Sequence, residues 1–383
     1  LKKVIIAAPN YYTSAYQVGS HHYAKAFEKL GYQVAYISDP ISTLHTFFAK
    51  SNILAERERI YNSGGFWEGN IWYYVPKALI TPQNKPFLSS QLVMNHWFKI
   101  AKVSLVEILK RNGFEEVDIL WFDSPIFHFL LDEISHRESI LRLADDSKGL
   151  GVSHVHFNKE LEIGNKANKV IYTAKSLLKT YEKIQDKSKM LYMPNGIDLR
   201  SFINCNYLLP AEFLNIPKPR VIYVGAIDWW FDVDLVYNSA IVYPEYSFIL
   251  IGTCHISINK LLDLKNIYYL GSVSHEKIKD YLHHSDIGII PFKQNEFVES
   301  IHPLKIYEYL AFGLKVVSMR WSELEQFEEY SLLAETSEEF IDLLSSSREF
   351  NKNDIESFLI ENSWINKLQK IYYNSFNIII EKQ

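Results

Sequence analysis

Between Ile287 and Met319 the chain passes through two short apolar runs with a helical pattern between them. Ile287-Gly288-Ile289-Ile290-Pro291-Phe292 and Lys315-Val316-Val317-Ser318-Met319 read as buried parallel strands, which are covered on both faces and so show no polar alternation. The intervening His302-Pro303-Leu304-Lys305-Ile306-Tyr307-Glu308-Tyr309-Leu310-Ala311-Phe312-Gly313 reads as a helix. Pro303 suits its first turn, where a missing N–H has no intrahelical partner anyway, and Gly313 suits its stop. Strand, loop, helix, strand in this order restricts the chain to an α/β sheet. Ligands of such sheets bind beyond the carboxyl ends of the strands, where the loop after Phe292 and the first helical turn fall. Lys305 and Glu308, three residues apart, share a helix face there. A phosphate at this place meets free N–H groups, the positive helix end and Lys305. Glu308 is then placed to accept hydrogen bonds from sugar hydroxyls.

The same alternation runs through the whole chain. Strands are expected at Lys3 to Ala8, Gln33 to Ser38, Ile71 to Val75, Val117 to Phe122, Ile140 to Ala144, Val170 to Thr173 and Met190 to Met193. Helices are expected from Ser20 to Leu30, Leu44 to Tyr61, Ser89 to Lys110, Glu160 to Asn168 and Lys175 to Lys183. Pro194-Asn195-Gly196-Ile197-Asp198 interrupts the pattern with turn residues, and a domain boundary is placed there. A second series follows with strands at Arg220 to Val224, Phe248 to Ile251, Ile267 to Leu270, Ile287 to Pro291 and Lys315 to Met319, and a helical tail from Asp354 to Lys382 kinked near Ser363-Trp364. A chain of 383 residues is long for one core, so two doubly wound domains fit.

Several side chains fall at the carboxyl ends of these strands. Asp123 follows one, Asp145 and Asp146 another, and adjacent carboxylates raise one another's proton affinity, which is how a general base is made. The alternative role for each is capping the next helix. His21 and His22 open the first helix, as terminus hydrogen-bonders or as catalysts. Gly225 and Gly252 end two strands of the second series, where a missing side chain lets backbone approach a ligand. The loop that follows Gly225 carries Trp229, Trp230 and Phe231, which can wall a sugar or pack between domains. Asp232 and Asp234 spell a D-x-D metal pattern but open a helix, where acids serve the cap and the dipole, and no metal site is expected.

Composition narrows the class further. Apolar residues make up 48% and charged residues 22%, as in a globular protein, and the 15% aromatic content suits sugar sites or a membrane interface. The two cysteines, Cys205 and Cys254, make neither a disulfide framework nor a zinc cluster, and a reducing compartment fits. No run approaches the roughly twenty apolar residues of a membrane span, and the N-terminus enters a strand without a signal peptide pattern. A soluble or peripheral protein is expected. Residues 1–198 hold 24 Lys and Arg against 20 Asp and Glu, a balance of +4, leaving 16 against 25, or −9, for the rest. That asymmetry is too small for a nucleic-acid binder, but it biases the first half toward an anionic membrane surface. Within Ser89 to Lys110 the apolar stripe Leu92, Val93, Trp97, Ile100, Val103 and Val106, with Lys99, Lys102, Lys110 and Arg111 nearby, reads either as a helix packed on the sheet or as a basic amphipathic surface for lipid headgroups.

Two consecutive α/β domains, the Pro-Asn-Gly-Ile-Asp linker and the Pro303 to Gly313 helix together resemble a GT-B glycosyltransferase over nearly the whole chain. Val224-Gly225-Ala226-Ile227, Leu250-Ile251-Gly252, Tyr269-Leu270-Gly271 and the terminal Trp364 helix extend the likeness, which lies among bacterial enzymes that build capsule, teichuronic acid and exopolysaccharide, including the xanthan glucuronosyltransferase. The resemblance implies two Rossmann-like domains facing across a cleft: 1–198 for the acceptor, 199–363 for the nucleotide sugar, and a helix at 364–383 returning to the first domain. It implies Lys305 on the donor pyrophosphate, Glu308 on ribose or sugar hydroxyls, and Pro303 and Leu304 at the helix start. It further implies Gly225, Ala226, Ile227 and Gly252 beside the phosphates, and Gly271, Ser272 and Val273 beside the base. His21, His22, Asp145 and Asp146 would serve the acceptor, with Asp146 or Asp145 the first choice of base and His22 the second. Retaining members often carry two glutamates spaced by seven residues, but Ser300 stands eight before Glu308, Glu299 is one position out of register, and Lys315 stands where a proline is usual. Stereochemistry is therefore left unassigned.

The expected activity is transfer of a hexose from a UDP-sugar to a lipid-linked saccharide, without cofactor or metal, by a cytoplasmic protein on the inner membrane surface. Two other readings stay open. A UDP-sugar epimerase would act on donor alone, and a non-catalytic subunit of a polysaccharide assembly complex would bind UDP-sugar without turnover.

Overall fold

The computed structural model describes residues 1–14, 17–44, 51–202 and 206–373. Cys205, the start of the helix expected from Leu44, and the tail beyond residue 373 lie outside the described residues. The chain divides into two compact units, 1–194 joined by the segment from Leu368, and 195–367.

The first unit is built on an eight-stranded sheet. Its strands are β1 (Lys3–Ala8), β2 (Gln33–Ser38), β4 (Phe66–Glu68), β5 (Ile71–Tyr74), β7 (Glu116–Phe122), β8 (Ser135–Leu143), β9 (Lys169–Tyr172) and β10 (Met190–Tyr192), while β3 (Ile41–Ser42) and β6 (Lys77–Ala78) form a separate pair. The order is β10-β9-β8-β7-β1-β2-β5-β4, parallel except for the β4 hairpin edge. β1 lies between β2 and β7, so the order reverses there. β1, β2 and β5 are almost wholly buried, as helix-covered parallel strands must be.

The second unit is a six-stranded parallel sheet of β11 (Arg220–Val224), β12 (Ser247–Ile251), β13 (Ile267–Gly271), β14 (Ile287–Ile290), β15 (Lys315–Met319) and β16 (Leu332–Ala334). Its order, β13-β12-β11-β14-β15-β16, is the Rossmann arrangement, with the reversal between β11 and β14. β16 and the Ser337–Leu344 helix extend the sheet beyond the strands expected from sequence. Both sheets match the expected α/β class of two doubly wound, Rossmann-like units.

Three local expectations are corrected. The single helix expected from Ser89 to Lys110 is broken into Gln91–His96, a 3-10 turn Trp97–Ile100 and Leu105–Arg111. The break comes because Ala101 pairs as an antiparallel bridge with Ala78, and the Ser104 hydroxyl accepts from Glu107 N at 3.4 Å to cap a new helix. Pro303 is not inside the first turn: at φ −74° and ψ 125° it is the extended N-cap, and the helix runs Leu304–Ala311. The helix expected from Lys175 to Lys183 is only Leu177–Thr180.

The linker and the tail are tied together. Ile197 N donates to Asn362 O at 3.1 Å and Trp364 N to Ile197 O at 3.1 Å, so the Pro-Asn-Gly-Ile-Asp turn docks where Lys352–Glu361 gives way to the Trp364–Tyr373 helix. Gly196 is needed there, since a Cβ would stand 2.5 Å from Asn362 O. The last described helix begins with the second unit and ends with the first.

Candidate functional site

In the second unit the site is a consequence of how the Leu304–Ala311 helix is fastened. Tyr309 is buried, and its ring lies over β14 at Gly288, where a Cβ would come within 2.4 Å of the ring. Its hydroxyl accepts from Val224 N at 2.9 Å, satisfying the last amide of β11. The C-terminus closes on Gly313 at φ +70°, with Leu314 N donating to Tyr309 O. Thus anchored, the helix directs its first turn at the ends of β11 and β14.

Lys305 is the product of that placement. Its Nζ lies 4.2 Å from the Tyr223 ring centre and 4.6 Å from that of Phe292, so two aromatic faces hold the ammonium. Among the described residues no oxygen accepts a hydrogen bond from it. Burial pushes Lys305 down to about 7, partly opposed by Glu308. Glu308 is raised to about 7 by burial, against the attraction of Lys305 and Lys279. An anion beside Lys305 would favour the ammonium and supply the acceptor that the protein does not.

Beside Lys305 the backbone is bare. Gly225 has φ +147° and Gly252 φ +149°, conformations open essentially to glycine alone. A methyl group on Gly225 would stand 2.7 Å from Lys305 Nζ, and one on Gly252 would stand 1.9 Å from Gly225 O. Gly225 N donates to Ile251 O and Gly252 N to Gly271 O, so the three expected glycines lie side by side across β11, β12 and β13. Ile227 continues the row, donating to Thr253 O and accepting from His255 N, and Ala226 O accepts from the Tyr223 hydroxyl at 2.7 Å. Ser272 and Val273 follow Gly271 directly, at the end of β13. The expected donor residues are therefore gathered along one sheet edge.

The Trp229 and Trp230 loop is clipped to the strand after β14 by Asp232 N to Pro291 O and Lys293 N to Trp230 O, each 2.8 Å. Trp229 and Trp230 pack on Phe297 at 4.8 and 5.7 Å, leaving Trp229 44% exposed. Asp232 caps the Val233–Val242 helix, accepting from Leu235 N at 2.9 Å, and Asp234 pairs with Lys260. Glu299 accepts from the Ser322 hydroxyl at 2.7 Å, and Ser300, eight positions before Glu308, is buried. Sequence reasoning missed Tyr223, Phe292 and Tyr309 because each reads as an ordinary core aromatic.

In the first unit the carboxyl ends of β2, β7 and β8 collect acids. Asp123 is buried, receiving Trp121 Nε1–H at 2.8 Å and lying 3.4 Å from Arg142 Nη1. Arg142 in turn fills the space left by Gly19, where a Cβ would be 2.3 Å from its guanidinium. Asp145 follows β8, and part of the residue is open to solvent while protein groups crowd its carboxyl. Its low-dielectric surroundings and Asp123 raise its proton affinity, against the pull of Arg142. Asp146 accepts from Lys148 N at 3.0 Å and so caps the turn after the strand. Behind that turn Glu160, raised to about 7 by burial, receives the Ser147 and Tyr181 hydroxyls at 2.7 Å each.

His21 is hydrogen-bonded at both ring nitrogens. Its Nδ1 accepts from Val18 N at 3.1 Å, which leaves the proton on Nε2 to donate to Tyr11 O at 3.1 Å, and the ring is fully buried. Nδ1 thus serves the helix start, while Nε2 faces the Tyr11 carbonyl of the preceding loop and lies 3.4 Å from the Tyr36 hydroxyl. His22 is half-buried on the same helix. Sequence reasoning also passed over Asp39, at the end of β2, which accepts from the Ser124 hydroxyl at 2.5 Å and is raised by burial to about 7. The shared pattern of Ser38-Asp39-Pro40 and Asp123-Ser124-Pro125, an acid and a proline closing a strand, was the available signal.

Comparison with known proteins agrees with this division. Residues 5–173 match the family model described as the N-terminal domain of the glucuronosyltransferase GumK, and residues 218–346 match that of the glycosyl transferases group 1. A putative teichuronic acid biosynthesis glycosyltransferase, TuaH of Bacillus subtilis (strain 168), is 26% identical over 166 residues, covering 41% of this chain and 42% of the relative. Among solved structures, the sucrose-phosphate synthase of Thermosynechococcus elongatus superposes with TM-score 0.62 at 14% identity, over 97% of this chain and 92% of the other. HepE of Anabaena, in complex with UDP and glucose, superposes with TM-score 0.59 at 13% identity, over 98% and 96%. A trehalose-6-phosphate enzyme of E. coli bound with UDP-2-fluoro glucose does so with TM-score 0.67 at 10% identity, over 99% and 100%. With the sheet order of each unit and a family model on each half in agreement, the chain has the GT-B fold, with a GumK-like N-terminal domain followed by a domain of the glycosyl transferases group 1.

Proposed function

We propose that the protein transfers a hexose from a UDP-sugar to a lipid-linked saccharide in the assembly of a cell-surface polysaccharide. The observation that carries this reading is the Lys305 ammonium, clamped by Tyr223 and Phe292 against Gly225 with no acceptor among the described residues. In the proposed complex the diphosphate lies on Lys305 and the glycine edge, Glu308 takes sugar or ribose hydroxyls, and the segment from Gly271 to Val273 lies beside the base. The described relatives named for teichuronic acid and for glucuronosyl transfer support a surface polysaccharide.

In this scheme the acceptor oxygen forms the new bond to the anomeric carbon. The bond from that carbon to the diphosphate breaks, its electron pair leaving with the diphosphate, whose growing charge Lys305 and the helix N–H groups stabilise. The acceptor proton passes to a carboxylate of the Asp145 and Asp146 pair. Asp145 suits the task better, having raised proton affinity while Asp146 is engaged in the turn.

Calorimetric titration of the full chain with UDP and a panel of UDP-sugars tests the donor assignment. Lys305→Met is expected to weaken binding by about a hundredfold, as loss of a charge-assisted contact does. Unchanged affinity and turnover in that variant would overturn the reading. Product analysis with donor alone separates transfer from epimerisation, and binding without turnover in the presence of lipid-linked acceptors would indicate a binding subunit.

A further inference from the structure

Between Glu68 and Glu107 the chain carries Lys77, Lys85, Lys99 and Lys102 and not one carboxylate. The broken helix noted above gives this stretch a surface. Val93, Met94 and Trp97 are buried, while Leu92 is 63% and Ile100 48% exposed. Leu92 and His96, four apart, share the outer face of the helix, and Ile100 is exposed just after it at the end of the 3-10 turn. Because Ala78 pairs antiparallel with Ala101, Leu79 and Ile100 are cross-strand neighbours, and Leu79 is 53% exposed. Lys99 and Lys102 flank Ile100 in sequence and are exposed.

Ahead of this helix stands a tight tip. Gln83 N donates to Leu88 O, Ser89 N to Lys85 O and Ser90 N to Phe87 O, closing the loop so that Lys85-Pro86-Phe87 forms its apex. Phe87 is held at φ +64°, an outlier for an aromatic residue, and is 63% exposed. A backbone strained to present a large apolar ring to water calls for a partner that takes the ring. The tip is also joined to the candidate acceptor side: Asn84 Nδ2 donates to Gly151 O at 2.8 Å, in the turn that opens with Asp146 and exposes Leu150.

We infer that this face docks the first unit on a bilayer rich in anionic headgroups, with Phe87, Leu92, Leu79 and Ile100 entering the interface and Lys85, Lys99 and Lys102 on the headgroups. The charge decides for a membrane over a second copy of the chain: three exposed lysines on a stretch of chain that carries no carboxylate of its own repel a like face and attract anionic lipid. Apolar rings and chains surrounded by lysine are also what an interfacial surface requires. The inference rests on the lipid-linked acceptor proposed above, and it places that acceptor's anchor beside the Asp146 turn.

Flotation of the full chain with vesicles of phosphatidylcholine alone, or with about one third phosphatidylglycerol, tests it. Binding is expected to the anionic vesicles and to fall with salt. The variant Lys85→Gln/Lys99→Gln/Lys102→Gln should partition about a hundredfold more weakly. Phe87→Asn/Leu92→Gln should do so at least tenfold, and asparagine tolerates the left-handed backbone at 87. Equal partition of both variants and the unaltered chain would overturn the inference. So would vesicle-independent self-association, seen by light scattering, that the same substitutions abolish. Both variants should bind UDP as the unaltered chain does; failure of every form to bind UDP-sugar would sink the donor assignment while leaving the vesicle result to stand or fall alone.

Discussion

At the ends of β11, β12 and β14 the second unit presents glycine backbone, two aromatic faces and one ammonium, whereas the ends of β2, β7 and β8 in the first unit present Asp39, Asp123, Asp145 and Asp146. Both edges lie where a parallel sheet receives ligands. Their chemistries are opposite, and the proposed function gives them different tasks. A diphosphate needs positive charge and donors at close range, which a lysine and a helix N-terminus beside side-chain-free glycine backbone provide without bulk. A hydroxyl that must lose a proton needs carboxylates, and burying Asp39 and Asp123 together requires the Arg142 charge and the hydroxyls of Ser20 and Ser124.

The contrast breaks most sharply if the acids are removed. Asp145→Asn/Asp146→Asn is expected to lower turnover by about 10²- to 10⁴-fold, the usual range for loss of a general base, while UDP affinity measured by calorimetry stays as it was. Retained transfer would move the base elsewhere, with Asp39 and His22 next in line. A change at the glycine edge should act on stability and donor binding together. Gly252→Ala forces a Cβ onto Gly225 O and into a conformation that L-residues avoid, so it should cost about 3 kcal/mol by denaturant unfolding and weaken UDP binding with it. An unchanged unfolding midpoint would show that the edge yields.

The smallest effect is a pH slope. Burial holds Lys305 near 7, against an ordinary 10.5. A bound diphosphate favours the ammonium, so binding takes up a proton wherever the free site is neutral. Affinity should be full below about pH 7 and fall as pH rises above it, by at most about tenfold per unit. Lys305→Met should bind weakly with no such slope, and a slope that persists in that variant would assign it to another group.

Much of this was open to inspection in the order of residues. Strand runs such as Ile287 to Ile290 are apolar throughout because both faces are covered, and the Pro303 to Gly313 pattern carries its own start and stop. The long helix from Ser89 was misread because an apolar stripe at helical spacing does not reveal a β-bridge at Ala101, although Ser104 and Glu107 had the spacing of a cap. Local sequence thus determined the α/β class, the two-unit division and the position of Lys305 on its helix, because backbone periodicity and turn chemistry act over a few residues. Only the tertiary structure decided that Tyr223 and Phe292, 69 positions apart in sequence (292 − 223), clamp the same ammonium, that Tyr309 anchors its helix to Val224, and that His21 is consumed by its own loop. Such contacts depend on which strands lie side by side, and strand order is set by the packing of the whole sheet.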